Sequence, residues 1–221
     1  MSQDQTSRLP VLVTGASRGL GFALAQALGA KGHHIMAVGR TTGGLEELDD
    51  AIQSHGGSAT LAPLDVTNDG AMQHLCKSIH DRWGGVSLWV HTAIHAAPLT
   101  PTQMIDAKDW SKSLATNVEA TRRLIAYVSP LLSSEGQAWF FEHENVAGAK
   151  FFGSYGATKA TQMALARSWA TETVKTGPKV TIFTPPAMPT ATRGRFFPGE
   201  DRDVLISTHD AAREILEQAN F

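Results

Sequence analysis

Six apolar runs alternate with amphipathic stretches along almost the whole chain, and this alternation constrains the fold more than any single residue does. Runs suited to buried strands fall at Pro10–Thr14, His33–Gly39, Ser58–Leu64, Val86–Ala93, Gln137–His143 and Lys179–Thr184. Helical patterns span Leu20–Lys31, Leu45–His55, Asp69–Trp83, Ala107–Leu132, Ser154–Thr176 and His209–Ala219. Continuously apolar strands belong to parallel sheets covered on both faces, with right-handed crossovers between them. The prediction is an α/β, doubly wound parallel sheet of strand order 3-2-1-4-5-6, with its ligand crevice beyond the carboxyl ends of the strands. A length of 221 residues suits one such domain, taken as 1–221, and no repeat or low-complexity linker divides it.

The first run leads directly into Thr14-Gly15-Ala16-Ser17-Arg18-Gly19-Leu20-Gly21 and then into a helical pattern. Glycine lets the backbone turn tightly and approach a pyrophosphate, and a helix amino terminus supplies free N–H groups and a positive dipole end. A glycine turn without a ligand is the plainer reading, but the strand before and the helix after supply the context for dinucleotide binding. The second run ends Ala37-Val38-Gly39-Arg40, where NAD-preferring sites usually carry an acidic residue for the ribose hydroxyls. Arg40, with Arg18 in the glycine loop, offers charge-assisted bonds to a 2′-phosphate, so NADP(H) is the expected cofactor. Solvated surface charge is the ordinary alternative for either arginine. Tyr155 and Lys159, four residues apart, share a helix face. A free phenol titrates near pH ~10, and a neighbouring ammonium lowers that value. Such a pair can pass a proton to a developing alkoxide, although an exposed Tyr/Lys pair is common on any helix.

Thr14 to Gly21, Asp65-Val66, Asn117, Tyr155-x-x-x-Lys159 and the Pro185–Thr190 segment, in this order, resemble the short-chain dehydrogenase/reductase family over nearly the whole chain. The resemblance implies a Rossmann-type domain that transfers hydride between a nicotinamide and a small carbonyl or alcohol. It places Gly15, Ser17, Arg18, Gly19, Leu20 and Gly21 around the cofactor phosphates, with Ala93 beside the cofactor. Asp65 would bond the adenine edge with Val66 against the ring; a helix N-cap near Asp69 is the other reading of Asp65. Thr190 would contact the carboxamide and Lys159 the nicotinamide ribose. Tyr155 would be the acid/base, and the Asn117 carbonyl would hold a water joined to the lysine.

The chain departs from the family pattern at three places. No serine precedes the tyrosine; the stretch reads Phe140-Phe141-Glu142-His143-Glu144-Asn145-Val146-Ala147-Gly148. Aligned on Val-Ala-Gly, Asn145 takes the serine's place; aligned by distance, Glu142 does. Asn145 is preferred, ahead of His143, because an amide donates a hydrogen bond whereas an ionised Glu142 would repel phenolate and alkoxide. After the fourth run, His91-Thr92-Ala93-Ile94 stands for the family's Asn-Asn-Ala-Gly, with His91, Thr92 and His95 available to remake the hydrogen bonds. A metal site from His91, His95 and His143 matches no ligand spacing, and none is expected. Pro186 replaces a glycine, and the following segment, about 186–205, reads as a substrate lid. Its Arg193, Arg195 and Arg202 hint at an anionic substrate, as an ordinary exposed loop also would. The family's seventh strand is not expected, and a homodimer through Ala107–Leu132 and Ser154–Thr176 is.

The 19 basic and 21 acidic residues are scattered, which gives no footprint for nucleic acid. One cysteine suits a reducing compartment, Met1 to Leu9 is polar, and no apolar run is long enough for a membrane, so a cytoplasmic location is expected. The leading functional reading is an NADP(H)-dependent oxidoreductase. The missing serine, Ile94 and Pro186 motivate a second, a catalytically impaired NADP(H)-binding sensor or scaffold. A Rossmann methyltransferase would have no use for Tyr155, Lys159 and Arg40 together.

Overall fold

In the computed structural model, residues 9–221 are described; the polar reading of Met1 to Leu9 lies, apart from Leu9, outside them. Strand β1 (Val11–Thr14) is fully buried and leads into α1 (Gly19–Ala30). Then follow β2 (His34–Gly39), α2 (Thr42–Gln53), β3 (Ser58–Pro63), α3 (Asp69–Trp83) and β4 (Val86–His91). The second half holds α4 (Ala107–Ser113), α5 (Ala120–Val128), β5 (Leu132–Phe141), α6 (Gly153–Glu172), β6 (Lys179–Phe183), α7 (Ala191–Phe196) and α8 (Thr208–Ala219).

The sheet is six-stranded and parallel throughout, with order β3-β2-β1-β4-β5-β6. Alternate side chains of β1 serve opposite faces, as a period of two requires. Val11 and Val13 join Leu24, Leu28, Leu45, Ile52 and Ile215 beneath α1, α2 and α8. Leu12 joins Met72, Ile79, Leu124, Met163 and Trp169 beneath α3, α5 and α6. The strand order reverses between β1 and β4, so the loops after these two strands diverge and leave a crevice. Among the described residues β6 pairs only with β5, and no seventh strand covers that edge.

Two expectations are corrected, and one alternative falls away. The single helix expected over Ala107–Leu132 is α4, a π-helical turn at Leu114–Glu119, α5, and a 3₁₀ turn at Ser129–Leu131. β5 begins at Leu132, not Gln137, because its first half lies at an exposed margin where Ser134 and Glu135 show no apolar pattern. Finally, α3 is capped by Asn68, whose side chain accepts the Ala71 N–H at 3.1 Å. Asp65 is therefore not that helix's cap.

Candidate active site

The glycine loop is shaped by close backbone approach. Gly15 has φ +93°, and a Cβ there would stand 2.6 Å from the Ala93 nitrogen. A Cβ on Gly21 would stand 2.3 Å from Thr92 Oγ1 and 2.4 Å from the Gly15 oxygen, so neither position admits a side chain. Thr92, the unusual residue after β4, donates its hydroxyl to the Thr14 carbonyl at 2.9 Å and ties the two diverging loops together. Gly19, with φ +60°, has only Thr190 within 4 Å of a built Cβ and opens onto the crevice.

That crevice holds about 640 Å³. Its wall carries Gly15, Ser17, Arg18, Gly19, Leu20 and Gly21 from the loop, then Arg40, Asp65, Val66 and Ala93 from the ends of β2, β3 and β4. Tyr155, Lys159 and Thr190 complete the other end. Thr190 also caps α7, its hydroxyl accepting the Arg193 N–H at 3.2 Å. Asp65 Oδ1 accepts the Thr67 N–H and hydroxyl, and Oδ2 lies 3.8 Å from the Arg40 guanidinium. Both partners of this long pair are about half exposed, so it contributes little stability and leaves the guanidinium able to bind elsewhere. A side cavity of about 360 Å³ adjoins this end, lined by Arg18, Arg40, Lys112, Arg195, His95 and Asp65 among others. Lys112 and Arg195 were not singled out for this cluster, since α4 and α7 meet β2 only in three dimensions.

At the opposite end Tyr155 is 3% exposed, with its ring centroid 4.9 Å from that of Phe196 and 5.7 Å from that of His143. Burial pushes its phenol above the usual value. Lys159 is also buried, and burial pulls its ammonium down to about 7, partly opposed by the Glu142 charge. Its Nζ donates to Gln162 Oε1 at 2.6 Å. The expected lowering of the phenol by the ammonium is thus outweighed by desolvation of both groups.

Asn117 sits inside the π-helical turn, fully buried. Its side-chain oxygen accepts the His95 N–H at 2.7 Å and its amide donates to the His95 carbonyl at 2.9 Å, so it pins the segment after β4. Its own carbonyl accepts the Thr121 hydroxyl at 2.9 Å. The family resemblance implies a water on this carbonyl, which keeps a second lone pair beside the Thr121 hydroxyl.

The residue expected to replace the serine is a further correction. Asn145 is exposed, lies in the left-handed region with φ +57°, and is not part of the crevice wall, because it turns the chain beyond β5. His143 does line the crevice. Burial lowers its pKa, helped by Arg193 and then Lys159, so a neutral ring with one N–H is present at pH 7. Glu142 is bound by Arg167 at 2.6 Å, which offsets the repulsion expected from a carboxylate beside Tyr155. The lid arginines are engaged internally: Arg193 with Glu200 at 2.5 Å, Arg195 with the Ala96 carbonyl at 2.6 Å, and Arg202 with the Pro189 carbonyl. His91 keeps both ring nitrogens in hydrogen bonds to Thr14 and Thr121, and no three metal-ligating side chains converge among the described residues.

No helix among the described residues is long and apolar enough to cross a membrane. Comparison with known proteins places this architecture. An NADP-dependent 3-hydroxy acid dehydrogenase of Escherichia coli is 28% identical over 178 residues, 79% of this chain and 71% of that protein. The solved structure of a short chain dehydrogenase from Shigella flexneri with bound NADP superposes with a TM-score of 0.85 at 25% identity, over 95% of this chain and 90% of that one. A 7α-hydroxysteroid dehydrogenase solved with NADH and a bile-acid derivative shares the fold, with a TM-score of 0.81 at 21% identity over 98% and 90% of the two chains. Residues 10–201 match the short chain dehydrogenase family. The chain belongs to that family of nicotinamide-dependent oxidoreductases, on a Rossmann-type sheet.

Proposed function

We propose that this chain is an NADPH-dependent reductase of carbonyl compounds, with Tyr155 as the proton donor. The observation that carries the reading is the crevice itself, with the glycine loop and four cations at one end and Tyr155, Lys159 and His143 at the other. These residues fit a phosphorylated dinucleotide. The loop places N–H groups of the first turn of α1 where a pyrophosphate would lie, and Gly19 leaves room for it. Arg18, Arg40, Lys112 and Arg195 face a single carboxylate in the side cavity, a balance that suits a 2′-phosphate and disfavours bare ribose hydroxyls. A Cβ on Gly39 would stand 3.0 Å from Ser17 and 3.2 Å from a Leu45 methyl, so an acidic side chain there, as in NAD-preferring sites, would have to push both neighbours aside by a few tenths of an ångström.

The bound cofactor would supply the hydride. Lys159 would hold the nicotinamide ribose and Thr190 the carboxamide, while Asp65 and Val66 would seat the adenine. The buried Tyr155 phenol is protonated at neutral pH, and an alkoxide as it forms is basic enough to take that proton. His143 would donate its ring N–H to the substrate oxygen, the role a serine hydroxyl plays in the family pattern. Phe152, Phe196, Val146 and Ala96 pack around Tyr155, so the group flanking the carbonyl should be apolar. Arg193 and Arg202, engaged within the lid, give no support to an anionic substrate, while Arg195 keeps its charge beside a neutral carbonyl and lines the side cavity.

Titration of NADPH and NADH by cofactor fluorescence tests the cofactor assignment. Wild type should bind NADPH the more tightly, and Arg40→Asp should weaken NADPH by roughly 10- to 100-fold with little effect on NADH. Equal binding of the two cofactors by wild type would overturn the assignment.

A further inference from the structure

Behind Lys159 lies a buried chain of polar side chains that none of the cofactor contacts explains. Lys159 donates to Gln162 Oε1 at 2.6 Å, and the Gln162 amide nitrogen donates to Thr121 Oγ1 at 2.9 Å. Thr121 sends its one hydrogen to the Asn117 carbonyl at 2.9 Å and lies 3.0 Å from His91 Nε2. His91 Nδ1 is 2.8 Å from Thr14 Oγ1, which accepts the Trp89 indole N–H at 3.1 Å. Gln162 and Thr121 are 1% and 0% exposed.

One assignment of hydrogens satisfies all of these contacts. Ammonium and indole N–H can only donate, so they fix the two ends. Because Thr121 spends its hydrogen on Asn117, His91 must carry its own on Nε2 and accept the Thr14 hydroxyl at Nδ1. Gln162 cannot then be flipped without facing its amide N–H groups to the ammonium. A carboxamide also does not hand on a proton readily, so this chain holds and does not conduct.

We propose that Gln162 is a positioning residue: its amide, clamped from behind by Thr121, which His91 in turn holds, keeps the Lys159 ammonium at the crevice wall and leaves its other two N–H bonds for cofactor and Tyr155. The proposal rests on the reading of Lys159 as a site residue. The physical need is plain, since a buried ammonium without an acceptor loses its proton. The charged and titratable groups around it come from three elements. Tyr155 lies on α6 itself; His91 ends β4, held neutral by burial with a pKa of about 3. Glu142 and His143 follow β5, and Glu142 is the carboxylate that favours the charged lysine. The α4–α5 stretch contributes only the uncharged Asn117 and Thr121.

The test is an NMR titration of lysine side chains, isotopically labelled at Cε and Nζ, with the Lys159 signal assigned through Lys159→Met. Gln162→Leu should lower the Lys159 midpoint by about one pH unit or more, and the isosteric Gln162→Glu should raise it by a similar amount. Thr121→Val should move it in the same direction as Gln162→Leu, but less. The alkaline limb of the pH–rate profile for carbonyl reduction should follow each midpoint. Unmoved midpoints, or shifts of the same sign in Gln162→Leu and Gln162→Glu, would overturn the proposal. Opposite midpoint shifts without turnover in any protein would uphold the clamp and defeat the reductase reading. Turnover with unmoved midpoints would do the reverse.

Discussion

Burial governs three ionisable groups at the Tyr155 end of the crevice, and it acts on each in the direction that keeps it neutral. It raises Tyr155, lowers Lys159 to about 7 and lowers His91 to about 3. A neutral phenol is the form that the proposed reduction needs; burial makes Tyr155 a weaker acid than a free phenol, yet an alkoxide is a strong enough base to take its proton. For His91 the folded value lies below the usual 6.5, so the unfolded chain takes up the proton first as pH falls. Its contribution to stability is therefore complete above about pH 6.5 and is lost progressively toward pH 3. Urea midpoints of wild type and His91→Asn, compared across that window, should converge as pH drops, with wild type losing on the order of a few kcal/mol more than the variant. Parallel curves would show that His91 does not titrate on unfolding. The types of these residues were readable in the sequence; their burial was not, because it depends on Phe196 and Thr121 arriving from α7 and α5, and on α6 packing Gln162 over the end of β4.

At the scale of elements, the π-helical turn at Leu114–Glu119 sets the geometry of the segment after β4. The extra residue in that turn leaves no mark on a 3.6-residue apolar period, so a sequence reading runs the helix straight through it. Asn117, a mediocre helix former between apolar neighbours, was the available hint. Its side chain satisfies both backbone groups of His95 and donates to Thr158 Oγ1 at 3.0 Å. Asn117→Ala should strand those buried groups and lower the unfolding free energy by about 2–4 kcal/mol in chemical denaturation. A loss below about 1 kcal/mol would mean that water or a shifted loop replaces the clamp. The early start of β5 went unread for a related reason. Ser133 to Gly136 lie in an irregularity of the ladder between the Val86–Leu132 and Leu88–Gln137 pairs, with Ser134 and Glu135 exposed, so apolar periodicity does not report this part of the strand.

Over the whole molecule the sheet order and the place of the crevice follow from the strand–helix alternation and the glycine loop, both visible in the chain as written. Gly15 and Gly21 can bear no side chain, and this constraint is legible because a strand and a helix flank them. Asn145, preferred for the absent serine because it aligns by its neighbours, does not line the crevice, whereas Glu142 and His143, just beyond β5, do. Long-range meetings such as Lys112 and Arg195 with Arg40, or Gln162 with His91, carry no local signal at all. In the proposed reaction Tyr155 delivers a proton while hydride passes to a carbonyl in this crevice. Single-turnover decay of bound NADPH, followed by stopped flow against a panel of apolar aldehydes and ketones, measures that step directly. Tyr155→Phe should bind NADPH as wild type does and lose roughly 10²–10⁴-fold in the rate of decay. Decay at the wild-type rate in Tyr155→Phe, or tight NADPH binding without decay in either protein, would contradict it.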